Sequence, residues 1–268
     1  MDLRSSVRQA RRIFRQGIGF PLQAAWFRLR ALTPAAPGMV GAWPDYQTAL
    51  SHVPKGRPGG YDNADVAPVS FERMCQVQNH DYPVLFWLQR HLRPGSRILD
   101  IGGHMGTKFI GFSRLIDLTG VEWHVVDLPA IVAAARERQA QGHLPAAIRF
   151  HDDAGQAPHA DILLASGLFQ YLDVPLAGLL ARLAARPPMA LFNKVATREG
   201  ASVTTLERIG PAWVPYQMRN RAGFEAEIAA AGYRIADSWD IPALAHVIPT
   251  HPALGPSRSL GYFLTDAA

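Results

Sequence analysis

The stretch RILDIGGHMGTKFIGF, residues 97–112, decides how the rest of the chain is read. A short apolar run ends on Asp100, and Gly102, Gly103 and Gly106 crowd the turn that follows before helix-forming residues resume. Where a strand enters a helix through such a turn, glycine leaves room for a ligand to approach the backbone. The dinucleotide fingerprint G-x-G-x-x-G needs glycine at 101, where Ile101 stands, and Asp100 is unwelcome beside a pyrophosphate. A nicotinamide-dependent oxidoreductase is disfavoured on both counts. Taken alone, the turn is also what close helix-on-strand packing produces.

Outward from this turn, short apolar runs alternate with helical patterns. RILDIG is a buried-type strand, 105–118 reads as a helix and VEWHVVD (121–127) as a second strand. Pro129 suits the first turn of the next helix, which runs to Gly142. AAIRFH (146–151), ADILLAS (160–166) and PMALFNKV (188–195) read as strands, with a helix over 174–186. The alternation predicts an α/β fold with a mostly parallel, doubly wound sheet covered by helices on both faces. Upstream, Phe71 to Leu92 reads as one helix stopped by Pro94-Gly95. Downstream, Ala196 to Arg219 reads as a long loop, then a helix and the strand-like YRIADSWD (233–240) and SLGYFLTD (259–266). Residues 67–268 are therefore the catalytic-type domain, and residues 1–66 an arm with a Pro/Gly-rich linker.

Composition narrows the function classes. The net charge of +5 is local: residues 1–32 hold seven arginines against Asp2, or +6, so the remainder carries −1. Nucleic acid is an unattractive partner for so neutral a body. Leu3, Val7, Ala10 and Phe14 recur at helical spacing among the arginines. Such a basic helical extension suits an anionic membrane surface or an acidic partner, and equally a helix packed on the core. No run of eighteen uncharged apolar residues is present, and Pro21, Gln23, Arg28 and Arg30 interrupt the signal-like apolar stretch near the start. Cys75 is the sole cysteine, which suits a reducing cytoplasm and excludes an intrachain disulfide. No metal site is legible, since Asp152 and Asp153 have no third hard ligand at a recognisable spacing.

What stands at 100–106 is Asp-x-Gly-Gly-x-x-Gly, which resembles motif I of the class I S-adenosylmethionine-dependent methyltransferases. The resemblance extends over roughly residues 70–268 and implies a Rossmann-like, seven-stranded sheet. It also implies S-adenosylmethionine as cofactor and S-adenosylhomocysteine as product. The cofactor's ammonium and carboxylate suit an acid at a strand end and free amides at a helix start. Asp100, Gly102, Gly103 and Gly106 would form that cradle, and Asp127 would accept from the ribose hydroxyls. Asp127 also reads as a helix cap before Pro129. Asp152 and Asp153 fall where the family contacts adenine, and Ser166, Phe169, Gln170 and Tyr171 where it floors the sulfonium. The segments GAWPDYQTAL (41–50), GYDNADV (60–66) and 210–239 look like a little-characterised bacterial family. Its members often accompany genes for surface polysaccharides or secondary products, which implies a glycan or specialised small molecule as acceptor.

Methyl transfer needs alignment and a dry site more than a protein nucleophile, with a base where the acceptor is a hydroxyl. His104, inside the turn, is the candidate base. Substrate contacts are expected from Gln170, Tyr171, Asn193 and Lys194, and from Thr205, Trp213, Tyr216, Arg219 and Asn220 in the late loop. Two other readings stay open: a silent methyltransferase-like binding module, and the disfavoured oxidoreductase.

Overall fold

The computed structural model describes residue 17 and residues 19–33, 35–60 and 71–267. The arginine-rich arm over residues 1–16 and all of GYDNADV except Gly60 lie outside the described residues. A first helix, α1 (Phe20–Ala31), buries Ala24 and leaves Leu22, Trp26 and Leu29 exposed. Among the described residues no helix is long and apolar enough to cross a membrane.

Seven strands form the central sheet. They are β2 (Arg97–Ile101), β3 (Glu122–Val126), β4 (Ile148–His151), β5 (Ile162–Ser166), β6 (Met189–Arg198), β9 (Tyr233–Asp240) and β10 (Arg258–Asp266). They lie side by side as β4-β3-β2-β5-β6-β10-β9, the first five parallel and β10 antiparallel to both of its neighbours. This is the mostly parallel seven-stranded sheet of the class I methyltransferase fold, as the sequence predicts. The strands read as continuous apolar runs because both faces are covered. One face packs Val84, Leu88, Phe112, Ile131 and Val132 from α4 (Tyr82–His91), α5 (Thr107–Phe112) and α6 (Pro129–Ala140). The other packs Leu176, Leu179, Phe224 and Ile228 from α7 (Leu176–Leu180) and α8 (Arg221–Ala230).

The expected helix over 71–92 is broken in two. It consists of α3 (Phe71–Met74) and α4, with a short 3₁₀ turn at Asn79–Asp81 between them. The intervening backbone lies so close to α5 that a Cβ on Gly111 would sit 2.8 Å from the Cys75 carbonyl oxygen. The helix after the glycine turn is likewise shorter than the expected 105–118.

The long loop expected over 196–219 is a β-hairpin. Strand β6 continues to Arg198, and β7 (Val203–Ile209) pairs antiparallel with β8 (Ala212–Asn220). Gly210, at φ 57°, makes the turn ahead of Pro211. Stretches rich in Val, Thr, Trp and Tyr alternate on a pleated surface, so the Gly-Pro pair marks a tight turn and not a stiffened lid. Part of the expected linker joins this wing as β1 (Met39–Trp43), paired with β7, while α2 (Tyr46–Ser51) packs beside it. The wing attaches where β5 has ended: β8 pairs with β6 only at Thr197 and Arg198.

A bulge in β6 makes this two-stage pairing possible. Leu260 faces Val195 and Tyr262 faces Phe192, so Asn193 and Lys194 together stand opposite Gly261. A Cβ on Gly261 would overlap the ring of Trp239. Gly261→Ala is expected to cost about 1–3 kcal/mol by overpacking, measured by denaturant unfolding. An unchanged midpoint would mean that Trp239 moves freely.

Candidate functional site

The carboxyl ends of β2, β3, β5 and β6 open into a cleft of two joined lobes. The larger, about 540 Å³, is bordered by Arg73, His80, Asp100, Gly103, Thr107 and Lys108 among others. The smaller, about 330 Å³, is bordered by His104, Asp127, Leu128, Gly167, Gln170 and Tyr171. Met74, Gly102, Ser166 and Lys194 border both.

The glycine turn shapes the floor between the lobes. Gly102 is left-handed at φ 71°, and its amide donates to the Val126 carbonyl at 2.8 Å, extending the β2–β3 ladder by one bond. A Cβ on Gly103 would lie 2.5 Å from Asp100 Oδ2, so only glycine leaves that carboxylate room. Gly106, at φ 76°, turns the chain into α5, and a Cβ there would overlap Ile148. His104 is also left-handed, at φ 54°, a conformation costing a non-glycine residue on the order of 1–3 kcal/mol. Its amide donates to Asp127 Oδ2 at 2.7 Å while the Leu128 amide donates to Oδ1 at 2.8 Å. Asp127 thus ties the turn to the end of β3. The His104 ring is buried and lies against Phe71, with centroids 6.2 Å apart.

Three buried polar atoms on this cleft have no hydrogen-bond partner among the described residues: Asp100 Oδ1, Ser166 Oγ and Gln170 Oε1. Buried polar groups are rarely left so, and three along one cleft indicate a site built for a polar ligand. Asp100 is 1% exposed, and its other oxygen accepts from Trp123 Nε1 at 3.2 Å. Burial pushes its carboxyl up to about 7, against the opposing pull of the Trp123 bond and of Lys108.

Beside Asp100 lies a buried charge cluster that the sequence reading missed. Asp81, with no exposure, accepts from Lys108 Nζ at 2.7 Å, Asn193 Nδ2 at 3.3 Å and the Gln78 amide at 3.0 Å. The signal for Lys108 was its place in the first turn of the helix after the glycines. Asp81 had none, because the segment read as unbroken helix. Asn193 is fully engaged, its Oδ1 accepting from Trp239 Nε1 at 3.2 Å. Lys194 differs: no described group accepts a hydrogen bond from its Nζ, which reaches the border of both lobes. Burial and the neighbouring Lys108 lower its ammonium to about 8.

Several expected site residues stand elsewhere. Asp152 and Asp153 border neither lobe: Asp152 faces Arg136 at 3.8 Å, and Asp153 caps the turn at Ala154 by accepting from the Gly155 amide. Phe169 is core, packed between Phe192 and Phe224. Thr205, Trp213 and Tyr216 are buried in the hairpin wing, where Thr205 Oγ1 donates to the Val40 carbonyl and Tyr216 packs on Tyr171. Arg219 donates to the carbonyls of Phe169, Leu172 and Val174, and so clamps the loop after β5 that carries Gln170 and Tyr171. Asn220 caps α8 by accepting from the Gly223 amide at 2.6 Å. These residues support the wall and do not line it. Among the described residues no group of three His, Cys, Asp or Glu is placed to hold a metal ion.

No family model matches the sequence, and no curated protein matches it. Solved structures are similar in chain path. One is the 1,6-didemethyltoxoflavin-N1-methyltransferase of Burkholderia thailandensis, with S-adenosylhomocysteine bound, at 20% identity and a TM-score of 0.48, covering 74% of this chain and 84% of that one. A glycopeptide N-methyltransferase complexed with S-adenosyl-L-methionine is 15% identical at a TM-score of 0.49, covering 70% and 94%. An amino pentose methyltransferase from Micromonospora echinaspora is 19% identical at 0.44, covering 73% and 94%. At these values no residue role is carried across.

Asp100 yields a pH prediction. Folded, it holds its proton to about pH 7, whereas an unfolded chain releases it near 3.8. The folded state therefore binds more protons in that window, and stability falls as pH rises through it, at most about 1.4 kcal/mol per pH unit. Asp100→Asn should flatten the dependence of unfolding free energy on pH between 4 and 7. An unaltered slope would mean that Asp100 ionises as freely folded as unfolded.

Proposed function

We propose that this chain is an S-adenosylmethionine-dependent methyltransferase acting on a small-molecule or glycan acceptor, by transfer to a hydroxyl oxygen. The observation that carries this reading is the run of unpartnered buried polar atoms, Asp100 Oδ1, Ser166 Oγ and Gln170 Oε1, along a cleft floored by glycine backbone. The donor set fits the group. Asp100 offers an unpartnered carboxyl oxygen to an ammonium, whose charge would favour its ionised form, beside a turn from which Cβ atoms are excluded. Asp127, at the end of β3, borders the smaller lobe, where ribose hydroxyls would meet its carboxylate. When bound, S-adenosylmethionine supplies a methyl group activated by a sulfonium.

The chain's own contribution is then placement and exclusion of water. The clamp of Arg219 on three carbonyls fixes the loop bearing Gln170 and Tyr171, and Tyr171 is held by donating to Glu207 Oε2 at 2.7 Å. A wall held this rigidly keeps an acceptor aligned for in-line displacement, which supplies much of the rate enhancement of such reactions. The larger lobe extends beyond the glycine turn toward Arg73, His80 and Leu244 and offers the space for the acceptor.

Calorimetric titration with S-adenosylmethionine, S-adenosylhomocysteine and NADH tests the assignment. The first two should bind at micromolar concentration and NADH should not. Gly103→Val should abolish binding by displacing the Asp100 carboxylate, while Asp127→Ala should weaken it about tenfold, as for one lost charged hydrogen bond. Binding of NADH alone would overturn the assignment.

A further inference from the structure

Lys194 is the one feature of the cleft that methyl-donor binding leaves unexplained. It sits at the bulge of β6, where two residues face one on β10. Its backbone is left-handed at φ 60°, one of two non-glycine residues so placed among those described, the other being His104 in the glycine turn. Bulges re-aim a side chain out of the alternation that the strand would impose. Here Phe192 and Val195 both pack on the α7–α8 side of the sheet, a spacing of three, and Lys194 is freed to point past the strand ends into the cleft. Gly167 makes way for it: a Cβ there would lie 3.1 Å from its Nζ.

We propose that Lys194 Nζ takes the proton from the acceptor during methyl transfer, and that the acceptor group is an acidic hydroxyl, a phenol or an enol. The proposal rests on the methyltransferase reading and deepens it. Position supports the role, since Lys194 borders the lobe that holds Asp127 and the lobe assigned to the acceptor. So does its lack of a partner. The groups facing it are Lys108 on α5, Asp81 and His80 before α4, and Asp100 at the end of β2. Of these, Lys108 and Asp81 are already bonded to each other. An amine crowded by Lys108, from which no described group accepts a hydrogen bond, is stabilised by losing its proton or by meeting a further anion, and an acidic hydroxyl satisfies both.

Position puts Lys194 at the acceptor, and amine chemistry limits the acceptor class, since a lysine amine, lowered or not, lies far nearer a phenol than an alcohol in proton affinity. With its ammonium lowered to about 8, the Lys194 amine is within about two units of a phenol, near 10. It is far from an ordinary alcohol, which resembles water near 15.7. In the step, the acceptor O–H bond breaks and its proton passes to Lys194 Nζ. The oxygen lone pair forms the new C–O bond, while the electrons of the sulfonium C–S bond leave on sulfur, giving an ether and a thioether. The lysine ammonium then returns its proton to water through the open lobe.

The test uses the full chain, the parent and Lys194→Met, with 4-nitrophenol as probe and S-adenosylhomocysteine present. Calorimetry first compares S-adenosylhomocysteine binding by the two proteins, and a loss of more than about tenfold in Lys194→Met alone overturns the proposal, since Lys194 would then serve the cofactor. Failure of the parent to bind overturns the methyltransferase reading and this proposal together. At a pH where free 4-nitrophenol is mostly protonated, the parent complex should raise the phenolate absorbance and Lys194→Met should not. In parallel, nuclear magnetic resonance of ¹³C-lysine-labelled protein should show one lysine, absent from Lys194→Met, titrating near 8. With S-adenosylhomocysteine bound, an ordinary lysine titration near 10.4, or phenolate absorbance equal in the two proteins or absent from both, overturns the proposal alone.

Discussion

A carboxylate with no exposure is costly unless donors surround it, and Asp81 obtains three from three different parts of the chain. Lys108 belongs to the helix after the glycine turn, Asn193 to the middle of β6, and the Gln78 amide to the segment that runs into α4. Losing Lys108 would leave a charge uncompensated in the interior, and losing either neutral donor would leave the carboxylate short of a hydrogen bond, so the three elements cannot separate cheaply. This constraint fixes the back wall of the cleft. It also breaks the helix that the sequence suggests over 71–92, because Asp81 reaches the cluster only from a turn.

With that wall in place, the two unusual backbone positions acquire a common logic. His104 and Lys194 both adopt left-handed conformations that non-glycine residues avoid, and both border the cleft. At His104 the bond from its amide to Asp127 holds the turn against β3. At Lys194 the bulge lets β6 serve two neighbours in succession, β5 along its first half and β8 at its end. The hairpin wing can therefore join the sheet without covering the strand ends where the cleft opens. Strain at the rim of a site persists only because the surrounding ladder over-determines it.

Much of the fold was legible because buried parallel strands announce themselves as apolar runs between helix signals. The glycine turn was legible because Gly102, Gly103 and Gly106 have no packing use as side chains. Gln170, Tyr171 and Lys194 were expected at the cleft for a positional reason, since they lie just after, or near the end of, the strands expected over 160–166 and 188–195, whose carboxyl ends must face one side of a parallel sheet. Trp213, Tyr216 and Thr205 were misread as cleft residues because a polar-aromatic segment containing Gly-Pro resembles a loop, while its partner strand β1 lies more than 150 residues upstream. Phe169 sits next to Gln170 but points to the opposite side, into the Phe192–Phe224 cluster.

What the sequence determined by itself was the order of elements and the turn that opens the cleft, because both are set by local periodicity and by glycine's freedom at positive φ. Which charged side chains meet in the interior was decided only in three dimensions. Asp81, Lys108, Asn193 and Lys194 are scattered over more than one hundred residues, and although Asn193 and Lys194 read as cleft residues from their place on a strand, nothing in the sequence brings the four together. Their meeting depends on the crossovers that set β5 beside β2 and β6 beside β5, and on a one-residue bulge that no composition records.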